Sequence, residues 1–531
     1  MITLLDYGAG NVRSVRNAIG KLGYTVQDVK SPADIISAEC LIFPGVGSYG
    51  SVMERLQRDG FVEPLIERIH ADKPVLGICV ALQALFEGSE ESPGVAGLSI
   101  LKGQIKRFAE TNLSVPQIGW NGVNLHKQSA IFSGYNGEKL YFVHSYRATL
   151  EDVDQEWLLS TTNYGEEFVS GVQKGNVTAF QFHPEKSGTA GLNILGNYLK
   201  SERADTITVS AKEISGNPQE TKMAKRVIAC LDVRTNDNGD LVVTKGDQYD
   251  VRDKGEVRNL GKPVELAKRY YEEGADEITF LNITGFRDFP MEDQPMLEVL
   301  QRTSENVFVP LTIGGGIRAF TDTNGKEYTS LDVASEYFRS GADKISIGSD
   351  ACYTAEEYLK TGIKTGRSSI EQISIVYGAQ AVVISVDPRR VYVKDPEDTD
   401  HNTIKTIVPG PEGEEYCWYQ CTVKGGREGR DLDAVQLVSS CEALGAGEIL
   451  LNCIDKDGTN SGFDFELINH VKSAVSIPVI ASSGAGSAAH FVDVFKKTDA
   501  EAALAAGIFH RKEVSIAEVK VALKDNGVET R

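Results

Sequence analysis

The chain has 531 residues, 41% of them hydrophobic and 24% charged, with a formal net charge of -20. Such a length exceeds one ordinary hydrophobic core, so two domains of unequal size are expected. The acidic balance argues against a nucleic-acid surface, whose phosphates would require clustered Lys and Arg, and no apolar run approaches the ~20 residues that cross a bilayer. Met1 leads directly into ITLLDYGAGN with no basic or apolar leader, which predicts a cytoplasmic protein, although the mature form of a plastid enzyme would read the same way. Cys417 and Cys421 stand close together, but without a second pair or nearby histidines they predict no metal site. The remaining cysteines are scattered through apolar segments and read as reduced thiols. No cofactor is expected.

In the first two hundred residues, short apolar strands (ITLLDY, YTVQDV, CLIFPG, PVLGICV) alternate with amphipathic stretches, which predicts an α/β domain with a mainly parallel sheet. Beyond about Leu101 the segments shorten and turn signals multiply, as in an antiparallel extension. Strand PVLGI runs into Cys79 and a helical pattern follows, so Cys79 occupies a sharp strand-to-helix turn whose helix N-terminus favours thiolate. Another apolar strand, VTAFQF, leads into His183 and Glu185, which supply a base and a group to orient it. Together these three side chains make the nucleophile, base and orienter of acyl transfer.

GICVALQ, FQFHPEKS, Pro44-Gly45-Val46-Gly47 and VHSY at Val143 to Tyr146 resemble the glutaminase subunit of the imidazole glycerol phosphate synthases, a class I glutamine amidotransferase, over roughly residues 1–200. The resemblance implies an oxyanion loop at Gly45, Val46 and Gly47, and a glutamine site at Gln83, His144, Ser145 and Tyr146. Ala81 stands where that family's elbow usually has glycine, and its methyl group is expected to shift the tight turn slightly.

Residues 201–224 are polar and lack a sustained apolar period, so they predict a linker between the glutaminase domain and a second domain over 225–531. The second domain opens on KRVIACLDV, read as a parallel strand buried on both faces, with Arg226 and Asp232 at opposite ends about 20 Å apart. An internal repeat follows: ACLDV is echoed by VVISVD, ADEITFLNIT by AGEILLNCID, VPLTIGGG by IPVIASSG, and ADKISIGS by AEAALAAG. Four strand-helix units per half close naturally into a (β/α)8 barrel with two-fold internal repeat. Asp232 and Asp387 end equivalent strands and would face each other across the mouth as general acid and base. Small-residue turns at Gly315 and Gly316, Gly348 and Ser349, Ser483 and Gly484, and Ala506 and Gly507 duplicate a phosphate-binding pattern. They predict a long substrate with a phosphate at each end. A long segment at about 391–430 carries no legible role.

ACLDVR, FLNITGF, TIGGGI, ADKISIG, NCIDKDGTNSGFD and ASSGAG resemble the cyclase subunit of the same synthases, across roughly residues 225–522, in the single-chain arrangement of plants and fungi. The resemblance implies a two-phosphate ribotide as substrate, ammonia from glutamine as the second reactant, Lys245 closing over the substrate, and Asp457 and Thr459 contacting it. Arg226, Glu277, Lys344 and Glu448 stand near strand starts, where charges ordinarily form a solvated rim. The resemblance instead implies a salt-bridged gate for ammonia. The two domains would then dock on each other within one chain, expected to be a monomer, with no further partner. Two other readings stay open: a glutaminase feeding a different phosphate-binding barrel, which would need a Schiff-base lysine, and a regulatory protein with a degenerate site.

Overall fold

The computed structural model describes residues 1–8, 10–109, 113–201, 221–236, 241–244, 252–253, 256–257, 259–283 and 295–531. Lys245 and most of the expected linker lie outside the described residues. The N-terminal sheet has eight strands in the order Val26–Asp28, Ile2–Leu4, Cys40–Phe43, Val75–Ile78, Val177–Phe180, Glu166–Lys174, Leu158–Tyr164 and Asn124–Leu125. The first five run parallel and the last three are added antiparallel, as the turn-rich sequence beyond Leu101 predicts. Helix starts follow local chemistry. Ser31 and Asp34 form a capping box ahead of Pro32, and the side chain of Ser48 caps the helix Tyr49–Arg58.

The C-terminal domain is a barrel of eight parallel strands: β1 (Arg226–Thr235), β2 (Glu277–Asn282), β3 (Leu311–Gly314), β4 (Lys344–Ile347), β5 (Val382–Val386), β6 (Glu448–Asn452), β7 (Val479–Ser482) and β8 (Ala502–Ala505). Pairing of β1 with β8 closes it. Side chains alternate between the axis and the surrounding helices. Along β1, Ile228 and Cys230 join Val383, Leu450, Ile480, Ala502 and Leu504 in a small apolar cluster inside the barrel, whereas Val227, Ala229, Leu231 and Val233 pack in the large outer core. Arg226 and Asp232 share the parity of Ile228 and Cys230, so one strand carries a charge at the floor, apolar groups along the axis and a carboxylate at the mouth.

Glu277, Lys344 and Glu448 are likewise the first residues of their strands, and with Arg226 they form a closed ring. Arg226 Nη1 donates to Glu277 Oε2 at 2.9 Å and Nη2 donates to Glu448; Lys344 Nζ lies 2.7 Å from Glu277 Oε1 and 2.5 Å from Glu448 Oε2. Thr312 Oγ1 adds a bond to Glu277 Oε1 at 2.6 Å. None of the four side chains is more than 1% exposed, so the solvated-rim expectation fails: inward parity at the strand starts places all four inside the floor.

The glutaminase domain docks on that floor. Asn11 Nδ2 donates to Asp343 Oδ1 at 2.7 Å, Lys186 Nζ lies 2.6 Å from Asp343 Oδ2, and Trp120 Nε1 donates to the Asp276 carbonyl at 3.2 Å. Gly188 N–H reaches the Phe308 carbonyl at 3.0 Å and Val115 N–H the Ser476 carbonyl at 3.0 Å. Each barrel partner stands just ahead of a strand, so the contact is with the N-terminal end of the barrel, away from the mouth. Removing one member of a buried charged network leaves its partners unpaired in a dry interior and costs about 3–5 kcal/mol. Glu277→Gln is therefore expected to lower the denaturation midpoint of the barrel clearly, as followed by chemical unfolding; a shift corresponding to less than about 1 kcal/mol would match an exposed pair instead.

Candidate functional site

The glutaminase site arises because strands Val75–Ile78 and Val177–Phe180 are parallel neighbours, with Ile78 beside Phe180. The residues that follow them, Cys79 and Gln181 to His183, are therefore side by side. Cys79 has φ 53° and ψ -108°, a conformation costing of order 1–3 kcal/mol, and its N–H donates to the Phe180 carbonyl at 2.6 Å. Ala81 does not abolish this elbow. It fits because Gly77 lacks a side chain: a Cβ there would lie 3.3 Å from Ala81 Cβ and 3.0 Å from Ala179 Cβ.

His183 Nδ1 and Glu185 Oε1 are 2.7 Å apart, both buried, and a short 3₁₀ turn beginning with Pro184 holds the carboxylate in place. Burial opposes protonation of His183, but the carboxylate of Glu185 and the sulfur of Cys79 outweigh it and hold the imidazole well above its ordinary range. Three expected glutamine-site residues belong to one network. Gln83 Nε2 donates to the Tyr146 carbonyl at 3.0 Å and to Gln181 Oε1 at 3.1 Å, while Gln181 Nε2 lies 3.5 Å from Cys79 Sγ. His144 Nδ1 is 2.7 Å from the same Tyr146 carbonyl, which can only accept, so this nitrogen carries the proton. Its ring is packed among Phe108, Phe142 and Phe168, and burial draws its pKa down to about 3, so it stays neutral. The Ser145 carbonyl accepts from Phe108 N–H at 3.1 Å. Gln83 and His144 thus fix the turn through Ser145 and Tyr146 from two sides.

The Gly45 loop lies directly on the elbow: a Cβ at Gly45 would fall 1.6 Å from the Ile78 carbonyl oxygen and 2.5 Å from Val80 N. Gly47 follows with φ +121°. Tyr7 clasps this loop, its hydroxyl lying 2.9 Å from the Pro44 carbonyl and 3.2 Å from the Val46 carbonyl, and accepting Val46 N–H at 3.3 Å. Tyr7 and Gln181 are not among the residues the sequence singles out, and neither is Glu91. The Glu91 carboxylate accepts Tyr49 N–H at 2.8 Å near Tyr146, and burial pushes its pKa up to about 7 against that hydrogen bond. Gln181 could have been found, because it shares the parity of His183 at the end of one strand. Tyr7 and Glu91 carry no local signal.

In the barrel, β1 and β5 are opposite one another in the ring of strands, which puts Asp232 and Asp387 on opposite sides of the mouth. Asp387 Oδ1 accepts Asn452 Nδ2 at 2.7 Å; burial, aided by nearby Asp457, raises its pKa although that bond opposes the rise. Burial and the charges of Asp232 and Asp457 also push the Cys230 thiol well up, so both carboxylates lie near the upper axis. The small-residue turns follow β3, β4, β7 and β8, two adjacent pairs on opposite sides. Gly315 and Gly484 have φ +92° each, and a Cβ there would fall 2.3 Å from the Asn282 carbonyl oxygen and 2.2 Å from that of Gly462. Gly316 has φ +78° and Ser483 has φ +72°. Gly348 precedes the helix Ser349–Thr361, and Ala506 precedes a single turn starting at Gly507. Asp457 and Thr459 sit in the loop after β6, where Thr459 Oγ1 bonds the Lys456 carbonyl at 2.8 Å and Ser461 Oγ at 2.7 Å.

Floor and triad meet at one residue. The Tyr141 carbonyl accepts His183 N–H at 2.9 Å, while burial and the charges of Glu277 and Arg226 act on its phenol, whose pKa is raised well above the ordinary value.

Residues 3–200 match the family model described as glutamine amidotransferase class-I, and residues 226–515 the one described as histidine biosynthesis protein. The chain is 58% identical over 535 residues to "Imidazole glycerol phosphate synthase hisHF, chloroplastic" of Arabidopsis thaliana, covering 100% of this chain and 89% of that one. It is 56% identical over 542 residues to the hisHF synthase of Emericella nidulans, covering 99% and 98% of the two chains. The C-terminal part alone is 41% identical over 309 residues to "Imidazole glycerol phosphate synthase subunit HisF" of Methanobrevibacter smithii, covering 58% of this chain and 99% of that subunit. A triad-bearing amidotransferase docked beneath a closed eight-stranded barrel, with relatives of this identity along the full length, means that the chain belongs to the imidazole glycerol phosphate synthase family of histidine biosynthesis, in the form that joins glutaminase and cyclase in one polypeptide.

Proposed function

We propose the following division of labour for the glutamine-dependent synthesis of imidazole glycerol phosphate. Cys79 sulfur attacks the glutamine carboxamide, His183 delivers a proton to the leaving nitrogen, and ammonia departs as the thioester forms. Water, deprotonated by His183, then releases glutamate and restores the thiol, while Glu185 keeps the imidazole oriented. Ammonia leaves past Tyr141, passes the ring of Arg226, Glu277, Lys344 and Glu448, and rises along an axis lined by Ile228, Cys230, Leu450 and Leu504. An apolar route keeps it neutral and nucleophilic. The observation that carries this reading is the buried ring itself, lying on the docked face and on the same strands as the mouth residues. At the mouth, ammonia attacks the phosphoribulosyl formimino derivative of aminoimidazole carboxamide ribotide, held by the phosphate turns after β3, β4, β7 and β8. Asp232 and Asp387 move the protons that close the imidazole ring and release aminoimidazole carboxamide ribotide.

Both halves act within one monomeric chain, which would sediment at the mass of a single copy. All eight cysteines are buried and none is in a disulfide, which suits a reducing compartment, and we place the enzyme in the cytosol; a fluorescent fusion found in plastids would overturn that placement.

Cys79→Ala is expected to abolish cyclisation with glutamine and to leave cyclisation with added ammonium salts at high pH within a few-fold of the parent. Asp232→Asn is expected to abolish both, because an amide does not exchange protons as a carboxylate does. Steady-state assays with the two nitrogen sources check the pair, and loss of ammonia-dependent turnover in the cysteine variant would refute the separation of tasks.

We infer that Glu91, a buried carboxylate near Tyr146, receives the α-ammonium of glutamine. Its raised pKa means that the unliganded site holds a proton below about 7, and a bound cation expels it. The KM for glutamine should therefore fall by up to about tenfold per unit as pH rises toward 7, then level off. Glu91→Gln should flatten this profile and raise KM at pH 8; a parent profile already flat between pH 5.5 and 7 excludes the role.

The oxyanion loop supplies coupling between the sites. Val46 N–H is engaged by Tyr7, and rotation of that peptide, eased by the flanking Gly45 and Gly47, would offer a donor to the tetrahedral intermediate. A route to the barrel exists. Ser48 bonds the carbonyls of Ile375 at 2.6 Å and Val376 at 3.1 Å, at the end of the helix Ser369–Tyr377, whose Ser369 bonds Asp350 beside the phosphate-turn residue Ser349. Occupancy of the mouth should raise glutamine hydrolysis on the order of a hundredfold. Equal rates with and without a non-reacting two-phosphate analogue would refute the coupling.

A further inference from the structure

The segment after Asp387, which has no role legible in the sequence, forms a four-stranded sheet. Its central strand Tyr416–Val423 is flanked by Pro388–Val393 and Thr403–Lys405, and Glu428–Asp433 also pairs with it. Arg390 stands on its first strand, three residues beyond Asp387. The side chain is 7% exposed and stacked over Tyr419, its guanidinium carbon 5.6 Å from the ring centroid. Nη2 donates to Asp464 Oδ2 at 2.7 Å and Glu466 Oε2 at 3.0 Å, Nε to Asp464 Oδ2 at 3.2 Å, and Nη1 to Thr406 Oγ1 at 3.0 Å. Its main-chain N–H donates to Asp455 Oδ2 at 2.7 Å.

Asp455 and Asp464 are the two ends of the loop that carries Asp457 and Thr459. Asp464 also caps the helix Phe465–Lys472 by accepting Leu467 N–H at 3.0 Å, so that end of the loop is tied both to the helix and to Arg390. On the central strand, Thr422 holds the other participant: its Oγ1 and N–H bond the Asp387 carbonyl at 2.7 and 3.2 Å. One inserted sheet thus grips the main chain of Asp387 and both ends of the loop beside it.

We propose that Arg390 is a positioning residue for the cyclase reaction, which staples both ends of the 455–464 loop to the strand leaving Asp387 and so fixes the loop's substrate contacts relative to that carboxylate. The proposal rests on the reading that Asp457 and its loop contact the two-phosphate ribotide. Arginine suits the task because a planar fork can serve two carboxylates and a hydroxyl at once, whereas lysine, a point charge on a flexible stem, holds them less rigidly.

The test is ammonia-dependent cyclisation by the full chain, with rates referred to glutamine hydrolysis without ribotide as a measure of folded enzyme. Arg390→Met is expected to raise the KM for the ribotide about tenfold or more with a smaller change in kcat, and Arg390→Lys to fall between it and the parent. Asp457→Asn is expected to raise the same KM. A normal KM in Arg390→Met alongside a raised KM in Asp457→Asn would overturn the positioning role alone. A normal KM in Asp457→Asn would overturn the reading of the loop and the proposal with it. Parallel loss of glutamine hydrolysis and cyclisation in Arg390→Met would show general destabilisation and overturn the role too. If Arg390→Met does not accumulate folded, Arg390→Lys decides, a parent-like KM overturning the proposal.

Discussion

Four charges buried at the floor of a barrel set the terms for the rest of this enzyme. An isolated ion moved into a dry interior costs several kcal/mol, so Arg226, Glu277, Lys344 and Glu448 are tolerable there only together, each cation between two carboxylates and each carboxylate between two cations. The ring is neutral overall, and Thr312 takes up further hydrogen-bonding capacity on Glu277. It also needs cover from water on its lower side. The glutaminase domain contributes to that cover, with Trp120 and Tyr141 packed into the same apolar core as the outward residues of the barrel strands. Docking of the two domains thus adds to the cover over the ring.

Strand parity carries the same constraint upward. Because side chains alternate, a charge facing the axis at the start of β1 is followed on the same face by Ile228, Cys230 and then Asp232. The pattern recurs in β6, where Glu448, Leu450 and Asn452 share the inner face and Asn452 reaches Asp387 at the mouth. Floor charges, apolar axis and mouth carboxylate are thus written along single strands. A one-residue slip in any of them would put a charge among the outer helices.

The glutaminase site solves a different problem, the support of strain. Cys79 holds a positive φ that a β-carbon disfavours, and the elbow persists because its surroundings leave it no alternative. The Phe180 carbonyl takes its N–H, the Gly45 loop lies within contact distance of the flanking peptides, and Ala81 occupies space left by Gly77. The hydroxyl of Tyr7 in turn holds the loop by its main chain, so the shape of the site is set by backbone contacts more than by side chains that would meet the substrate.

The sequence by itself determined the two domain types, the duplicated half-barrel, the Cys79, His183 and Glu185 set, and the opposed Asp232 and Asp387. Each is carried by short-range information: an apolar run, the residue that ends it, and the repetition of that pair. Tertiary structure alone decided whether the four floor charges were a wet rim or a closed ring, since local sequence does not say which strand ends are covered by another domain. It also decided the contacts of Tyr7, Glu91 and Arg390. Their partners lie 39, 42 and 74 positions away, and a hydrogen bond across such a separation leaves no periodicity in the sequence to read. The inserted sheet after Asp387 reads as surplus length for the same reason: its contacts with the loop after β6 exist only once the barrel has closed.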